Sequence, residues 1–315
     1  MNHFLKTKPS HSLHATQAPH KTSPKRNPIR SGMLAGAACA VLLTTQLGAP
    51  MMAQASPPAQ TQGPAFYISQ GVVDELSQAY NLNVPKTGSH QFEILQLVTV
   101  AAPNWRFARV LNHTTCLPAL AYDSNFVRAE GASLKNWPIP GQSGCTQEED
   151  RNEMVTYIDP RVCNADTIRI GYWLYFKKDG FSGGVENGHR HDWEGAVVEW
   201  KRIQGDQWSR NQVIVSYHKE YHSKRWDDSS LAKTEDALHP VIFSGWAHHA
   251  MHWNKGGRAD LLTTLYDDLR NSYIKLNAWD NMTVIPWLPA QAQNVLQFGD
   301  YGKANPPLSK QICNL

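Results

Sequence analysis

Residues 188–194, Gly-His-Arg-His-Asp-Trp-Glu, set two imidazoles, two carboxylates and a guanidinium directly before the β-branched, aromatic run Ala196-Val197-Val198-Glu199-Trp200. Any fold of this chain must bury a strand whose first half is densely polar. At the two-residue period of a strand, Asp192 and Glu194 project from one face. Adjacent carboxylates repel unless a cation lies between them. His189 falls on the opposite parity, so a turn through Gly188 and Arg190 is needed to bring it to the same ion. Gly183, Gly184 and Gly188 make such a turn sterically easy. The competing reading is a polar strand end whose charges pair internally, with Arg190 neutralising a carboxylate.

The rest of the centre also reads as β: Met154 to Ile158, Ile168 to Phe176, Gly195 to Ile203, Gln212 to His218, Val241 to Gly245 and Ala247 to Trp253. Ile168, Ile170, Tyr172, Leu174 and Phe176 form one apolar face, with Arg169, Trp173 and Tyr175 on the other, a pattern that suits a sheet packed on a second layer. Phe92 to Val100 alternates as a strand does. Val72, Val73, Leu76, Ala79 and Tyr80 recur at helical spacing, as do Leu261, Leu262, Leu265, Leu269, Tyr273 and Leu276, and Pro289 to Phe298 reads as a shorter helix starting at its Pro. Many strands with few helices predict an all-β sandwich with helical flanks.

The basic character of the chain is local. Six of its 30 Lys and Arg fall in the first 55 residues, which contain no acid and run from a basic region through an apolar stretch (Met33 to Ala49) to Ala53-Gln54-Ala55. That is the order of a secretory signal, with cleavage expected after Ala55. The remaining 24 basic side chains face 27 acidic ones, which removes the electrostatic case for nucleic-acid binding. Residues 56–64 read as a disordered linker and 65–315 as one domain. Four cysteines then remain, Cys116, Cys145, Cys163 and Cys313, an even number that suggests disulfides in an exported chain and permits three pairings. There is no Cys-x-x-Cys pair, which argues against a thiolate zinc site. Eleven tryptophans follow residue 55. Trp226, Trp246, Trp279 and Trp287 fall near loops, where an indole can stack on a sugar or enter a lipid headgroup layer. His218 and His249 sit in strand-like runs, where a packed core histidine competes with a direct role.

The heptapeptide resembles, letter for letter, the motif that marks necrosis-inducing NPP1-like proteins, also called Nep1-like (NLP) cytolysins. Upstream, Gly171-Tyr172-Trp173-Leu174-Tyr175-Phe176-Lys177-Lys178-Asp179 resembles the family's aromatic strand ending in YFxKD. Val215 to His218, His239 to Phe243, His249 to Met251 and Asp300 to Pro307 follow in the family's order, so the resemblance spans about residues 110 to 310. It implies a β-sandwich resembling actinoporins and fungal lectins. It also implies a divalent-metal site of Asp179, His189, Asp192 and Glu194, with Arg190 and His191 orienting or neutralising those ligands. Three carboxylates and one imidazole suit calcium, magnesium or manganese better than zinc. Between Asp179 and His189 the loop is longer than is common in the family, and Glu186 is a possible replacement for Asp179. The family's common bridge maps to Cys116 and Cys145, which leaves Cys163 with Cys313.

The function so implied is that of a secreted, monomeric, non-enzymatic cytolysin. It would bind glycosylinositol phosphorylceramide headgroups of plant plasma membranes peripherally, with His218, His249, Trp279 and Trp287 as candidate contacts. Two alternatives differ in class: a non-toxic, lectin-like binder of glycans or sphingolipids, and a metal-dependent hydrolase using Asp192 and Glu194 as acid and base. The hydrolase is disfavoured by spacing, because carboxylates two apart on a strand stand on the same side of a substrate.

Overall fold

The computed structural model describes residues 64–81, 88–110, 113–114, 116, 117–135, 144–146, 148–182, 186–246, 248–254 and 270–315. All of these belong to the compact unit Ser56–Leu315. The expected signal and all but the last residue of the expected linker lie outside the described residues.

Fifteen named elements follow one another: β1 (Phe66–Tyr67), α1 (Gln70–Gln78), α2 (Gln91–Val100), β2 (Asn104–Val110), β3 (His113–Thr114), β4 (Thr156–Asn164), β5 (Thr167–Ser182), β6 (Glu186–Gln204), β7 (Gln207–Tyr217), β8 (Glu220–Arg225), β9 (Val241–Ser244), β10 (Met251–His252), β11 (Arg270–Asn277), β12 (Met282–Val284) and α3 (Ala290–Phe298). One sheet runs β1-β7-β6-β5-β4-β12, with β8 also paired to β7. The other runs β10-β9-β2-β11, with β3 paired to β2.

The alternation read from the sequence sets the core. Ile168, Ile170, Tyr172, Leu174 and Phe176 of β5, with Ala196, Val198 and Trp200 of β6, pack against Trp105, Phe107, Ile242, Met251 and Ile274 of the second sheet. Such pairing of two inner faces is sandwich packing. The outer face of the larger sheet is buried too: Tyr157, Trp173, Tyr175, Trp193 and Val197 lie against Leu296 of α3 and against Tyr301 and Ile312 of the C-terminal segment. A strand covered on both sides has no solvent-facing row, which explains the near-continuous apolar runs.

Both disulfides form, Cys116 to Cys145 and Cys163 to Cys313. The first ties down the long loop after β3. The second fastens the C-terminus to β4, and from the neighbouring β5 Arg169 donates to the Ile312 carbonyl (2.6 Å).

Three expectations are corrected. Phe92 to Val100 is helical, not a strand. Ile94, Leu97 and Val98 turn inward at helical spacing while Phe92 and Leu95 remain exposed, so this apolar run fits either period. Tertiary contact decides, since Tyr172 Oη donates to the Val98 carbonyl at the helix end (2.8 Å). The helix expected up to Leu276 is a strand in its described part, β11, where Ile274 and Leu276 are buried at period two; Leu261 to Leu269 lie outside the described residues. Of the strand expected from Ala247 to Trp253, the described residues form one only at Met251–His252, because His248, His249 and Ala250 lie in a loop that carries two histidines to the other sheet.

Candidate metal centre

β5 and β6 pair antiparallel in one register, which sets Phe176 opposite Asp192 and Asp179 opposite His189. Cross-strand partners share a face, so regular strands would leave Asp179 and Asp192 on opposite sides. The alternation is broken by left-handed residues: Gly180 at φ 72°, Gly188 at φ 133° and His191 at φ 61°. The expected turn residue Gly188 is therefore used, with His191 rather than Arg190 as the second. Gly188 cannot be replaced without strain, because a Cβ there would collide with the Asp179 carbonyl.

With the strands so bent, Asp179 and Asp192 meet His249. One ligand atom from each lies within 4.8 Å of the others, and all three residues are buried. His249 Nδ1 stands 3.6 Å from Asp179 Oδ1 and 3.4 Å from Asp192 Oδ2. Its ring stacks on Phe176, 3.9 Å between centroids and 6° from parallel. Asp179 is held by the same loop, accepting from His248 Nδ1 (2.8 Å) and from the His249 amide (3.1 Å). Burial disfavours its charge, yet the hydrogen bond from His248 and the His249, His248 and His189 imidazoles hold its carboxyl below the usual range. Asp192 Oδ1 accepts from the Trp193 amide (2.9 Å). Its Oδ2 is buried and accepts no hydrogen bond.

The other expected ligands stand around this trio. His189 is half-buried. Its Nδ1 donates to the His191 carbonyl (2.7 Å), so in the neutral ring the lone pair is on Nε2, the arrangement a metal-ligating histidine uses. Glu194 is bonded by Ser216 Oγ, which also accepts from the Gly195 amide (2.7 Å). Burial, and then the Asp192 charge, pushes the Glu194 carboxyl well above its ordinary value. The side chain of Glu186 lies outside the described residues.

Arg190 and His191 clasp a loop. His191 Nε2 is 2.7 Å from Arg128 Nη1 and its Nδ1 is 2.7 Å from Tyr175 Oη. A guanidinium only donates, so Nε2 accepts and Nδ1 carries the proton. Burial, followed by Arg128 and Arg190, lowers the His191 pKa to about 4. The ring rests on Gly131, where a Cβ would lie 2.7 Å from Cε1. Arg190 reaches the Glu130 carbonyl (3.2 Å). Together they draw residues 128–131, within the loop closed by Cys116–Cys145, up to the metal-ligand strand.

The remaining candidates are dispersed. His218 is exposed in the turn after β7, its ring 6.2 Å from that of His248. Trp279 lies on His239 (4.0 Å). Trp287 lines a cavity beside α1. Trp226 and Trp246 are buried. Sequence reasoning passed over His248 and Arg128; the adjacent pair His248-His249 was the available signal.

The donor set fits a hard divalent cation. It offers two buried carboxylates, one with an oxygen that accepts no hydrogen bond among the described residues, and the His249 imidazole beside them, without thiolate. Residues 104–312 match the family model described as necrosis inducing protein (NPP1). Among solved structures, Necrosis and Ethylene inducing Protein 2 from the causal agent of cocoa's Witches Broom disease is 20% identical; the match covers 69% of this chain and 87% of that one, with a TM-score of 0.50. NLPPya in complex with mannosamine is 20% identical over 70% of this chain and 86% of that one (TM-score 0.49). The non-toxic HaNLP3 is 19% identical over 68% and 86% (TM-score 0.47). No curated protein sequence matches the chain. At these identities the first likeness is one of fold.

Proposed function

The chain belongs to the necrosis-inducing NPP1 family, and on that premise we propose that it is an extracellular, non-enzymatic cytolysin that docks on glycosylinositol phosphorylceramide headgroups of plant plasma membranes through a bound calcium or magnesium ion. The observation that carries this reading is the buried meeting of Asp179, Asp192 and His249, with an Asp192 oxygen that accepts no hydrogen bond among the described residues. A buried carboxylate oxygen left unpaired costs several kcal/mol by itself, about the scale of a lost charged hydrogen bond or more.

Asp179, Asp192 and His249 would hold the ion, with His189 Nε2 and Glu194 as further donors. When bound, it supplies a Lewis-acidic point for sugar hydroxyl or phosphate oxygens. His248 fixes the rotamer of Asp179, and Phe176 fixes the plane of His249. The loop held by His191 carries the exposed apolar side chains Leu120 and Val127 (41% and 60% exposed), which suit shallow contact with a headgroup layer. Among the described residues no helix is long and apolar enough to cross a membrane. The two disulfides agree with an oxidising, extracellular setting.

Dye release from vesicles with and without the glycosylated sphingolipid, in calcium and in chelator, tests the proposal. Release that requires both lipid and cation is expected. Equal release from plain phosphatidylcholine vesicles, or full release in chelator, would overturn it. Binding without release would instead select the lectin-like alternative.

A further inference from the structure

The residues before the family match build a second site, separate from the carboxylate trio. α1, the start of α2, Pro160 of β4 and the turn after β12 enclose a cavity of about 250 Å³. Its floor is apolar: Leu76, Ala79, Ile94, Val284, Pro160 and Pro286. Its polar wall carries Asp74, Glu75 and His90, and the half-buried indole of Trp287 lines it as well.

The wall is acceptor-rich, and among the described residues no lysine or arginine lines it. Glu75 is fixed by the Ser89 hydroxyl (3.3 Å) and the His90 amide (3.1 Å) through a single oxygen, Oε2. Among the described residues Asp74 accepts a neutral side-chain amide, from Gln70 (2.8 Å). His90 Nδ1 is buried, makes no hydrogen bond among the described residues and stands 3.9 Å from Glu93 Oε1. The ring can lie there because residue 71 is glycine, whose Cβ would stand 2.5 Å from His90 Nε2. Unlike Asp179, Asp192 and His249, these groups do not bring three ligand atoms together among the described residues. Spread acceptors beside an indole suit an organic cation rather than a metal ion. Drug-sized ligands occupy roughly 300–1,000 Å³, so this cavity takes something smaller.

We infer that this cavity binds a small primary amine on a single-ring apolar body. The ammonium meets Asp74, Glu75 and His90, and the ring lies between Trp287 and the apolar floor. The site is independent of the cation-dependent docking proposed above. Family-matched residues supply Trp287 and part of the floor, but the acidic charge of Asp74 and Glu75 comes from α1, which precedes the match.

Calorimetric titration of the full chain with phenethylamine tests this, with phenylacetate as a probe of matched ring and opposite charge. Saturable amine binding is expected, with phenylacetate at least about tenfold weaker. Asp74→Asn, at an exposed position, and Trp287→Leu are each expected to weaken it at least about fivefold, with thermal melting showing that the variants are folded. Asp192→Ala should leave it unchanged. Absence of amine binding, equal affinity for phenylacetate, an unchanged affinity in folded Asp74→Asn, or loss of binding in Asp192→Ala would each overturn the inference.

Discussion

β5 and β6 bury acidic side chains at two places, and treat them in opposite ways. Toward one end, Glu199 faces Arg169 across the ladder. Their side chains bond at 2.8 and 2.7 Å, and Asn211 satisfies the other carboxylate oxygen (2.7 Å). Toward the other end, Asp179 and Asp192 converge, and among the described residues neither bonds a lysine or arginine and one oxygen accepts no hydrogen bond. Burial alone therefore does not mark a functional charge. The Glu199 carboxylate is closed by Arg169 and Asn211, whereas among the described residues Asp179 and Asp192 are met by histidines and backbone amides. Buried ion pairs are weak evidence of stability, but breaking one is costly.

The contrast is tested most severely by removing one acid from each place. Glu199→Ala leaves the Arg169 guanidinium buried and is expected to cost about 3–5 kcal/mol in denaturant unfolding. A loss under about 1 kcal/mol would mean that the pair is not closed. Asp192→Ala should do the reverse: stability in chelator hardly falls, while calcium affinity by calorimetry drops at least about 100-fold, or about 2.7 kcal/mol. Unchanged affinity would take Asp192 out of the site.

Acid titration separates the two places more finely. Burial opposes the Glu199 charge, but Asn211 and Arg169 more than offset it and leave its carboxyl below the ordinary value. Its contribution is thus whole above about pH 4.3 and fades as pH falls through the lower folded value. Glu194 has the opposite sign. Its folded value is raised, so the native state keeps a proton that the unfolded chain releases, and stability declines as pH rises from about 4.3 toward that value. Glu194→Gln should flatten this decline in chelator-treated protein, as unfolding curves across that range would show. An unaltered slope would count against a protonated Glu194. The smallest effect is expected from Arg190→Lys. That side chain is about half exposed, so melting should move by less than about 1 kcal/mol equivalent, and a larger shift would give Arg190 a place in the centre itself.

Much of this was legible in the order of residues. The period-two faces of β5 predicted the layer they join, and Gly188 predicted a break in β6. What stayed hidden was carried by distant segments. The strand parity of Asp192 and Glu194 says nothing about the loop after β9, which brings His248 and His249 from the opposite sheet. Likewise the left-handed backbone at His191 is uncommon for a residue other than glycine, and is maintained by Arg128 and Tyr175. No local pattern encodes those partners. Phe92 to Val100, misread as a strand, has apolar residues that fit period two as well as helical spacing, so its helix is chosen by what it packs against.

Because the carboxylates of the trio belong to one sheet and His249 to a loop of the other, any ion they share is also a rivet between the two layers. Its occupancy adds RT ln(1 + [ion]/Kd) to the stability of the whole sandwich, about 2.7 kcal/mol at a hundredfold excess over Kd. If calcium is that ion, as proposed above, the chain is expected to melt higher in calcium than in chelator. Its lifetime then depends on the place to which it is delivered as well as on its sequence.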